Sequence, residues 1–325
     1  ARIDGIIAWG PANMMCDEAH RMKSPDSKRT KAMHKLAASM DSGAIIVMAT
    51  GTLSVNNAGD VYNPLYITSP DHATSLSGTD TWTQFLDVWC DTEIAWKKRV
   101  VVGCKNVSLL RERLIKICMI NIDRDKVLDL PARQFMTPSP SIGHTDWSTY
   151  KYARDNFLDW MMQNYGKESA ERSAKAEAMT RMMRLWELDA IVRVSVSAEY
   201  IDSLINQGEQ VVVMAHHSKV IDGVRDKLMN AGWRVATIRG GMSSEAKAKV
   251  VEDFQAGNLD ALVGQVEAAG VGLTLTAACH IVFAQLPWSP AVFAQACDRV
   301  YRIGQERKTF VHVLLGYEKM PSVRV

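Results

Sequence analysis

Short apolar runs separated by polar turns open the chain, and they have the length of strands in a parallel sheet. The runs 12–16 and 44–49 are mainly apolar, as expected for strands that are buried on both faces. Residues 27–40, between them, predict a crossover helix. We therefore predict that residues 1–70 form part of an α/β lobe with a parallel sheet.

Between residues 71 and 188, the apolar residues are spaced as in helices, and the short apolar runs typical of strands are no longer the main pattern. Trp82, Phe85, Leu86 and Trp89 are spaced as on one face of a helix. These tryptophans, with Trp96, are interpreted as core residues and not as a platform for stacked bases. Further helices are predicted at 109–117, 153–162 and 170–188. This region is therefore expected to be a mainly helical insertion.

The alternation of strands and helices returns after residue 188 and is more regular there. Such alternation implies right-handed crossovers and a parallel sheet that binds ligands at the carboxyl ends of its strands. Residues 189–325 are therefore predicted to form a second α/β lobe. Its strands are predicted at 210–215, 234–238, 261–264, 280–284 and 311–315, and its helices at 218–230 and 243–255.

Composition agrees with an intracellular protein of two domains. The chain has 325 residues, 47% of them hydrophobic, and a net charge of +2, so no overall basic excess indicates nucleic acid. Local basic clusters such as the one at 28–35 are interpreted as solvated helix faces. The six cysteines form no CxxC pair, which favours free thiols in a reducing compartment. No apolar run approaches the ~20 residues of a membrane span, so no membrane partner is expected.

Two adjacent carboxylates follow the first predicted strand. Asp17 would lie at the carboxyl edge of the sheet, where a carboxylate can hold Mg²⁺ through the water shell of the ion. Glu18 would point at an attacking water, and His20 would link this edge to the facing lobe. Two carboxylates after a strand are also common on ordinary surfaces, so the motif by itself leaves both interpretations open.

Near the C-terminus, the segment QACDRVYRIGQ places Arg299 and Arg302 three residues apart, so that they share a helix face. Two guanidinium groups so placed suit bidentate binding of phosphate, whereas the alternative is an ordinary surface pair. Upstream, Gly270 and Gly272 lie in a loop whose backbone can approach phosphate or ribose closely, although a lone GxG is usually just a turn.

The order of these motifs resembles that of the Swi/Snf-type ATPases of helicase superfamily two, in particular the annealing-helicase (HARP-like) branch. The resemblance covers most of residues 12–316. The matching segments are DEAHRMKSPDSKRTKA, MATGTLSVNNAGDVYNPL, VVVMAHHSKVIDGVRDKL, GGMSSEAKAKVVEDFQAG, GVGLTLTAACHIVFAQLPWSP and QACDRVYRIGQERKTFVHVL.

The resemblance implies an α/β fold of two RecA-like lobes, the first incomplete, in a translocase that remodels or reanneals double-stranded or forked DNA. It implies ATP and Mg²⁺ as cofactors, with Asp17 and Glu18 at the metal. Catalytic roles are implied for Asp17, Glu18, His20, Arg299 and Arg302. Nucleotide contacts are implied for Gly270, Gly272, Gln295, Arg299 and Arg302, and Gln295 would also couple the lobes. DNA contact or coupling is implied for Thr50, Gly51, Thr52, Arg239, Thr274, Thr276 and Trp288.

The chain departs from this family at several positions. Leu53 stands where proline is usual, Arg239 where an acidic residue is usual, and Ser289 where asparagine is usual. The 325 residues contain no GxxxxGK[ST] loop, whose backbone and lysine grip the β- and γ-phosphates. We therefore expect an N-terminally truncated chain that binds ATP weakly and needs an N-terminal segment or subunit to supply this loop.

Two other functions stay open. The missing phosphate loop favours a non-catalytic subunit that binds DNA or a partner, whereas the retained acidic and arginine motifs argue against it. A DEAH-type RNA helicase shares the acidic motif, but the WSP and RIGQ segments favour the DNA branch. His216 and His217 follow a predicted strand, and a polar edge is favoured over a metal site there. A compact chain of this kind suits the cytoplasm or nucleoid of a bacterium or phage-infected cell, or the nucleus if the host is eukaryotic.

Overall fold

The computed structural model describes most of the chain. The described residues are 2–51, 53–54, 57–78, 81–95, 98–122, 124–139, 143–165, 178–269 and 272–314. They belong to two compact units, which meet in sequence between Arg124 and Asp125.

The first unit begins with helix α1 (Arg2–Trp9), strand β1 (Met14–Cys16), helix α2 (Lys28–Ala38) and strand β2 (Ile46–Met48). The two strands are parallel, with Met14 opposite Ile46. Ser27 caps α2, because its side chain accepts a hydrogen bond from the backbone N–H of Thr30. The predicted strand–helix–strand unit is confirmed, with each element shorter than predicted. The expectation that both strands are buried on both faces is wrong, because Met15 is 73% exposed and Val47 is 43% exposed.

Helices dominate the remainder of this unit. They are α3 (Tyr62–Thr68), α4 (Pro70–Ser77), α5 (Trp82–Trp89) and α6 (Val107–Ile117). Phe85, Leu86 and Trp89 are at most 1% exposed and form the centre of their core, against which Trp82 packs. Core packing is thus confirmed for Trp82 and Trp89, while Trp96 lies outside the described residues.

An antiparallel hairpin lies between α5 and α6, where the helical pattern predicted no strand. It consists of β3 (Cys90–Ala95) and β4 (Lys98–Cys104). Its apolar residues Ile94, Val100 and Val102 are exposed. Cys90 is buried and Val101 packs against the core of this unit, but the hairpin sequence lacks the alternation by which a half-buried strand is usually identified.

The second unit is built on a six-stranded sheet. Its strands are β5 (Arg133–Met136), β6 (Val211–Ala215), β7 (Val235–Ile238), β8 (Ala261–Gln265), β9 (His280–Phe283) and β10 (Thr309–Val313). The strand order is β5-β10-β9-β6-β8-β7, and all five pairings are parallel. The predicted α/β fold with a parallel sheet is confirmed.

Helices cover both faces of this sheet. On one face Val211, Val213 and Ala215 pack against the helices at 194–205 and 218–230. On the other face Val212 and Met214 belong to the core that contains Phe254 and Ala296. The helices after α6 are α7 (Arg124–Val127), α8 (His144–Asp155), α9 (Phe157–Tyr165), α10 (Ala178–Val192), α11 (Val194–Ile205), α12 (Ser218–Asn230), α13 (Ser244–Gln255), α14 (Val266–Ala269) and α15 (Pro290–Cys297).

Two predictions for this unit differ from the structure. The helix predicted at 153–162 is broken at Asn156, whose φ of −124° and ψ of 51° are not helical, so α8 ends and α9 begins there. Residues 133–136 were predicted to lie in the helical insertion but form the edge strand β5, paired with β10. The predicted domain boundaries at residues 70 and 188 stay predictions.

A buried ion pair connects the helices of this unit to the end of its sheet. Arg193 is 2% exposed, and its Nη2 donates to Asp189 Oδ2 at 2.8 Å while its Nη1 donates to Leu314 O at 2.7 Å. A buried guanidinium group is tolerated only while its charge is compensated, so we expect the pair to control the stability of this region.

We predict that Asp189→Ala lowers the free energy of unfolding of the second unit by about 3–5 kcal/mol, because it leaves the buried charge of Arg193 without its carboxylate. The measurement is equilibrium urea unfolding of the full chain. Asp226→Ala is the control, since it breaks the solvent-exposed pair with Arg225 and should cost at most about 1 kcal/mol. Equal losses in the two variants would contradict the prediction.

Candidate functional site

The two carboxylates of the first unit lie directly after β1, in a turn held by the segment after β2. Ala49 N donates to Cys16 O at 2.8 Å, and Ala19 N donates to Ala49 O at 2.9 Å. Asp17 is exposed, and its Oδ1 accepts the N–H of Glu18 at 2.7 Å. The Asp17 carboxylate therefore lies at the carboxyl edge of the strand pair, within reach of solvent.

Glu18 has an unfavourable backbone and an unfavourable side-chain environment. Its φ of 54° and ψ of 43° are left-handed, a conformation that costs a side chain other than Gly, Asn or Asp roughly 1–2 kcal/mol. Its Oε2 is buried and makes no hydrogen bond among the described residues, although His20 Nδ1 lies 3.1 Å away. Strain and an unsatisfied buried oxygen in one residue are typical of a functional position.

His20 connects this acidic turn to the next strand. Its Nδ1 lies 3.1 Å from Thr50 Oγ1 in hydrogen-bond geometry, and the tautomer determines which group donates. Asp17, Glu18, His20 and Thr50 thus come together in one unit. Gly51 is exposed beside them, and Thr52 lies outside the described residues. The predicted link from His20 to the other lobe stays a prediction.

These residues fit a hydrated magnesium ion, because Mg²⁺ keeps several waters and takes one or two carboxylates. The exposed carboxylate of Asp17 and the unsatisfied Oε2 of Glu18 provide such oxygens. A nucleoside triphosphate fits the chain only in part, since the sequence contains no GxxxxGK[ST] cradle for the β- and γ-phosphates.

In the second unit, Arg299 and Arg302 converge on one backbone oxygen. Arg299 Nη1 and Arg302 Nη1 lie 3.5 Å and 3.4 Å from Leu273 O, and Arg299 Nε donates to Gln295 O at 3.1 Å. The prediction that the arginines share a helix face is wrong, because α15 ends at Cys297 and residues 298–300 form a turn. The turn, and not helical spacing, brings the two guanidinium groups together.

The loop beside this arginine pair is held by buried and half-buried amides. Gly272, at φ 72°, needs the conformational freedom of glycine, and Gly270 lies outside the described residues. Thr274 and Thr276 are half-buried here. Gln305 Nε2 donates to Thr276 O at 3.2 Å and to Ala278 O at 2.8 Å.

The carboxyl edge of the six-stranded sheet carries a second polar cluster. Gln285, 1% exposed, accepts the backbone N–H groups of His216 and His217 at 3.1 and 3.0 Å through one oxygen. His216 Nδ1 lies 2.6 Å from Glu267 Oε1, and burial lowers the pKa of His217. The paired histidines therefore belong to a polar edge, as predicted.

Two residues predicted to contact DNA lie at this edge: one is largely exposed, and the other forms an ion pair. Trp288 is 56% exposed and packs edge-on against Trp186, with ring centroids 5.7 Å apart. Arg239 follows β7 and pairs with Asp222, with its Nη1 3.2 Å from Oδ2. The hydrogen bond from Arg239 lowers the pKa of Asp222. Any phosphate that binds Arg239 therefore has to compete with a carboxylate.

Several residues that organise these loops were missed from the sequence. Four are glutamines that hold loop backbone: Gln255 accepts from Ala277 N, Gln265 accepts from Gly240 N, and Gln285 and Gln305 act as described above. Two of them, Gln265 and Gln285, end or follow an apolar run, where an uncharged amide is unusual. A glutamine at the end of an apolar run is therefore the sequence signal by which such residues could have been identified.

Known proteins resemble this chain in sequence. The family model named helicase conserved C-terminal domain matches residues 195–304. The chain is 26% identical over 318 residues to the DNA annealing helicase and endonuclease ZRANB3 of Homo sapiens, covering 93% of this chain and 27% of that protein. It is also 26% identical to the SWI/SNF-related matrix-associated actin-dependent regulator of chromatin subfamily A-like protein 1 of Xenopus tropicalis, covering 97% of this chain and 32% of that protein.

The chain thus spans about a third or less of the length of these relatives. Among solved structures, the Sulfolobus solfataricus SWI2/SNF2 ATPase core in complex with dsDNA superposes with a TM-score of 0.44 at 20% identity, over 94% of this chain and 63% of that chain. The relatives confirm the predicted resemblance to SNF2-type proteins of helicase superfamily two. The helices in the described ranges are all too short or too polar to cross a lipid bilayer.

We predict that Glu18→Asn stabilises the first unit by about 1 kcal/mol, because asparagine adopts the left-handed conformation more readily than glutamate does. Hydrogen–deuterium exchange of the amides of α2 and β2 measures the change. Glu18→Gln is the matched control, since it keeps the side-chain length and the backbone penalty and should change stability little. Equal protection in both variants would argue against backbone strain at this position.

Proposed function

Because the chain resembles SNF2-type proteins of helicase superfamily two, we propose that it is part of an ATP-dependent translocase that acts on double-stranded or forked DNA. ATP and Mg²⁺ are its cofactors in this proposal, and remodelling or annealing of DNA is its outcome. The name DNA annealing helicase, carried by the relative ZRANB3, supports DNA as the partner.

The observation that carries the proposal is the arginine pair. Arg299 and Arg302 lie in a segment that matches a helicase domain, and they bond a neutral carbonyl oxygen at 3.4–3.5 Å, beyond the usual range for N–H···O bonds. A phosphate oxygen would give both guanidinium groups shorter, charge-assisted bonds. The pair can therefore exchange Leu273 O for a γ-phosphate at little cost.

The acidic turn supplies the other part of the proposed chemistry. Asp17 would hold Mg²⁺ through water, and the unsatisfied Oε2 of Glu18 would accept a hydrogen bond from the attacking water. His20, bonded to Thr50, would keep Glu18 in place. When bound, Mg²⁺ would offset the negative charge of the triphosphate. We propose that this turn and the arginine pair act on one nucleotide, and that an N-terminal segment or subunit supplies the phosphate loop.

A non-catalytic subunit that binds DNA or a partner is the alternative, and the absence of GxxxxGK[ST] from the 325 residues favours it. The strained backbone of Glu18 argues for the motor instead, because a residue without a task there would be replaced at no cost by one that tolerates the conformation. An RNA helicase is the second alternative, and a comparison of binding to duplex DNA and to duplex RNA tests it.

We predict that the chain alone hydrolyses little ATP, and that joining a Swi/Snf-type phosphate-loop segment upstream of Ala1 gives DNA-stimulated hydrolysis. In that fusion, Glu18→Gln and Arg302→Gln should each lower kcat at least about a hundred-fold, because each removes a group that acts on the transferring phosphoryl. Steady-state phosphate release measures the rates.

The double variant distinguishes a shared nucleotide from two separate sites. If both residues act on one phosphoryl group, the double variant should be about as slow as the slower single variant, whereas independent effects would multiply. Arg154→Gln is the control, because this arginine pairs with Asp155 away from both proposed sites and should leave kcat unchanged. Absence of hydrolysis from the fusion would favour the non-catalytic subunit.

We predict opposite effects on DNA binding from the two partners of one ion pair. Arg239→Gln should weaken binding of duplex DNA about three- to ten-fold and reduce the salt slope by about one, because one phosphate contact is lost. Asp222→Asn should strengthen binding, because it removes a carboxylate that competes for Arg239. Fluorescence anisotropy across a series of salt concentrations measures both.

Duplex DNA and duplex RNA of matched length serve as the ligands. A DNA translocase should bind the B-form duplex more tightly, whereas preference for RNA would support the DEAH-type alternative. Weakening by both variants would show instead that the Arg239–Asp222 pair supports the fold of the loop and does not contact phosphate.

A further inference from the structure

Three side chains of the kinds that bind metals gather at the amino-terminal edge of the six-stranded sheet, away from the carboxyl edge described above. Glu209 precedes β6, Cys279 precedes β9, and His280 is the first residue of β9. The ligand atoms of the three all lie within 4.8 Å of one another. They meet because β6 and β9 are neighbouring parallel strands, with Val211 opposite His280.

The spacing of these atoms suits a tetrahedral metal ion. Cys279 Sγ lies 3.3 Å from Glu209 Oε2. A zinc ion that holds sulfur at about 2.3 Å and oxygen at about 2.1 Å separates the two ligands by roughly 3.6 Å in tetrahedral geometry. The Cys279–Glu209 pair therefore needs a shift of only about 0.3 Å, whereas the ligand atom of His280, within 4.8 Å of the other two, has to approach by up to about 1 Å. Thiolate, imidazole and carboxylate together favour Zn²⁺ over Mg²⁺ or Ca²⁺, which take oxygen ligands.

A hydrogen-bond chain behind His280 fixes the orientation of its ring. His280 Nδ1 lies 2.9 Å from His312 Nε2, and His312 Nδ1 lies 2.9 Å from the hydroxyl of Tyr200. The two histidine rings are nearly coplanar, with an interplanar angle of 15° and ring centroids 5.1 Å apart, as expected for a hydrogen bond between ring edges. With Nδ1 engaged in this way, Nε2 is the nitrogen that His280 offers to an ion. Ligand histidines in metal sites are held in the same manner by a hydrogen bond at the other nitrogen.

Burial and charge describe the site as it stands without an ion. Burial and the hydrogen bond to Glu209 raise the pKa of the Cys279 thiol to about 11, so this thiol is protonated in the absence of a metal. Cys279 is 3% exposed, whereas Glu209 and His280 are half-buried, which leaves room for water as a fourth ligand. Arg307 Nη1 lies 2.8 Å from Glu209 Oε2 and balances the carboxylate without an ion.

We propose that Glu209, Cys279 and His280 bind one Zn²⁺ ion, with water in the fourth position. On binding, the Cys279 thiol loses its proton to solvent and the thiolate sulfur donates an electron pair to the ion, so no oxidant or reductant is needed. The ion would join the beginnings of β6 and β9, at the opposite edge of the sheet from His216 and Gln285.

Metal titration of the full chain tests this site. The protein is dialysed against a chelator, desalted, and titrated with Zn²⁺ in competition with a chromogenic indicator. A parallel titration with Co²⁺ reports the ligands, because thiolate coordination gives a sulfur-to-cobalt charge-transfer band and tetrahedral geometry gives intense d–d absorption. We expect one ion per chain, with both spectral features present.

Matched variants assign the ion to these residues. Cys279→Ser should remove the charge-transfer band and weaken zinc binding at least about a hundred-fold, and Glu209→Gln, at a half-buried side chain, should weaken it at least about ten-fold. His312→Gln, which does not alter a ligand, should weaken it about 10- to 100-fold by releasing the His280 ring. Cys104→Ser, at the exposed cysteine of the first unit, should bind zinc as the parent chain does. Circular dichroism confirms that each variant is folded.

Two results would overturn the proposal. One is a parent chain that binds no zinc, which would show that Cys279, Glu209 and Arg307 form a hydrogen-bonded network only. The other is a folded Cys279→Ser or Glu209→Gln variant with unchanged affinity, which would place the ion elsewhere. Neither result bears on ATP hydrolysis or DNA binding, since none of the substituted residues belongs to those sites.

Discussion

Burial of strand β6 on both faces is the constraint on which the second unit depends. All five residues from Val211 to Ala215 are fully buried, because helices cover the sheet on each side. Such a strand has no position for a polar side chain, since a charge there would be desolvated without a partner. Chemistry is therefore confined to the strand ends, where Glu209 and Gln210 precede the strand and His216 follows it.

Loops that leave such a sheet must satisfy their backbone groups without placing charges near the core. Glutamine suits this requirement because one side chain both donates and accepts and carries no charge. Gln285 accepts two N–H groups after β6, Gln265 accepts one after β7, and Gln305 donates to the loop before β9. Arg193 shows the costlier solution, since its charge at a buried position requires Asp189 as well as a backbone carbonyl.

Features that depend on the local pattern of residues can be predicted from the sequence. Features that depend on strand pairing or on the path of a turn cannot. Apolar runs located β1, β2 and β6, and Ser243 correctly marked the start of α13. The hairpin β3–β4 was missed because its sequence lacks the alternation of a half-buried strand, and β5 because only its pairing with β10 defines it. The arginine pair was expected from helical spacing but arises from a turn. Glu209 and Cys279 lie 3.3 Å apart across about 70 residues of sequence, which requires knowledge of the strand order.

The polar contacts of the second unit differ in length between its two proposed sites, and the difference indicates what each can do. Arg299 and Arg302 reach Leu273 O at 3.4–3.5 Å, whereas the hydrogen bonds that join His312 to His280 and to Tyr200 are both 2.9 Å. Long bonds to a neutral acceptor are exchanged easily for a charged ligand. Short, mutually aligned bonds resist rearrangement, because breaking one leaves buried groups unsatisfied. A site that must gain and lose phosphate in each cycle needs the first kind, and a site that fixes the start of a strand needs the second.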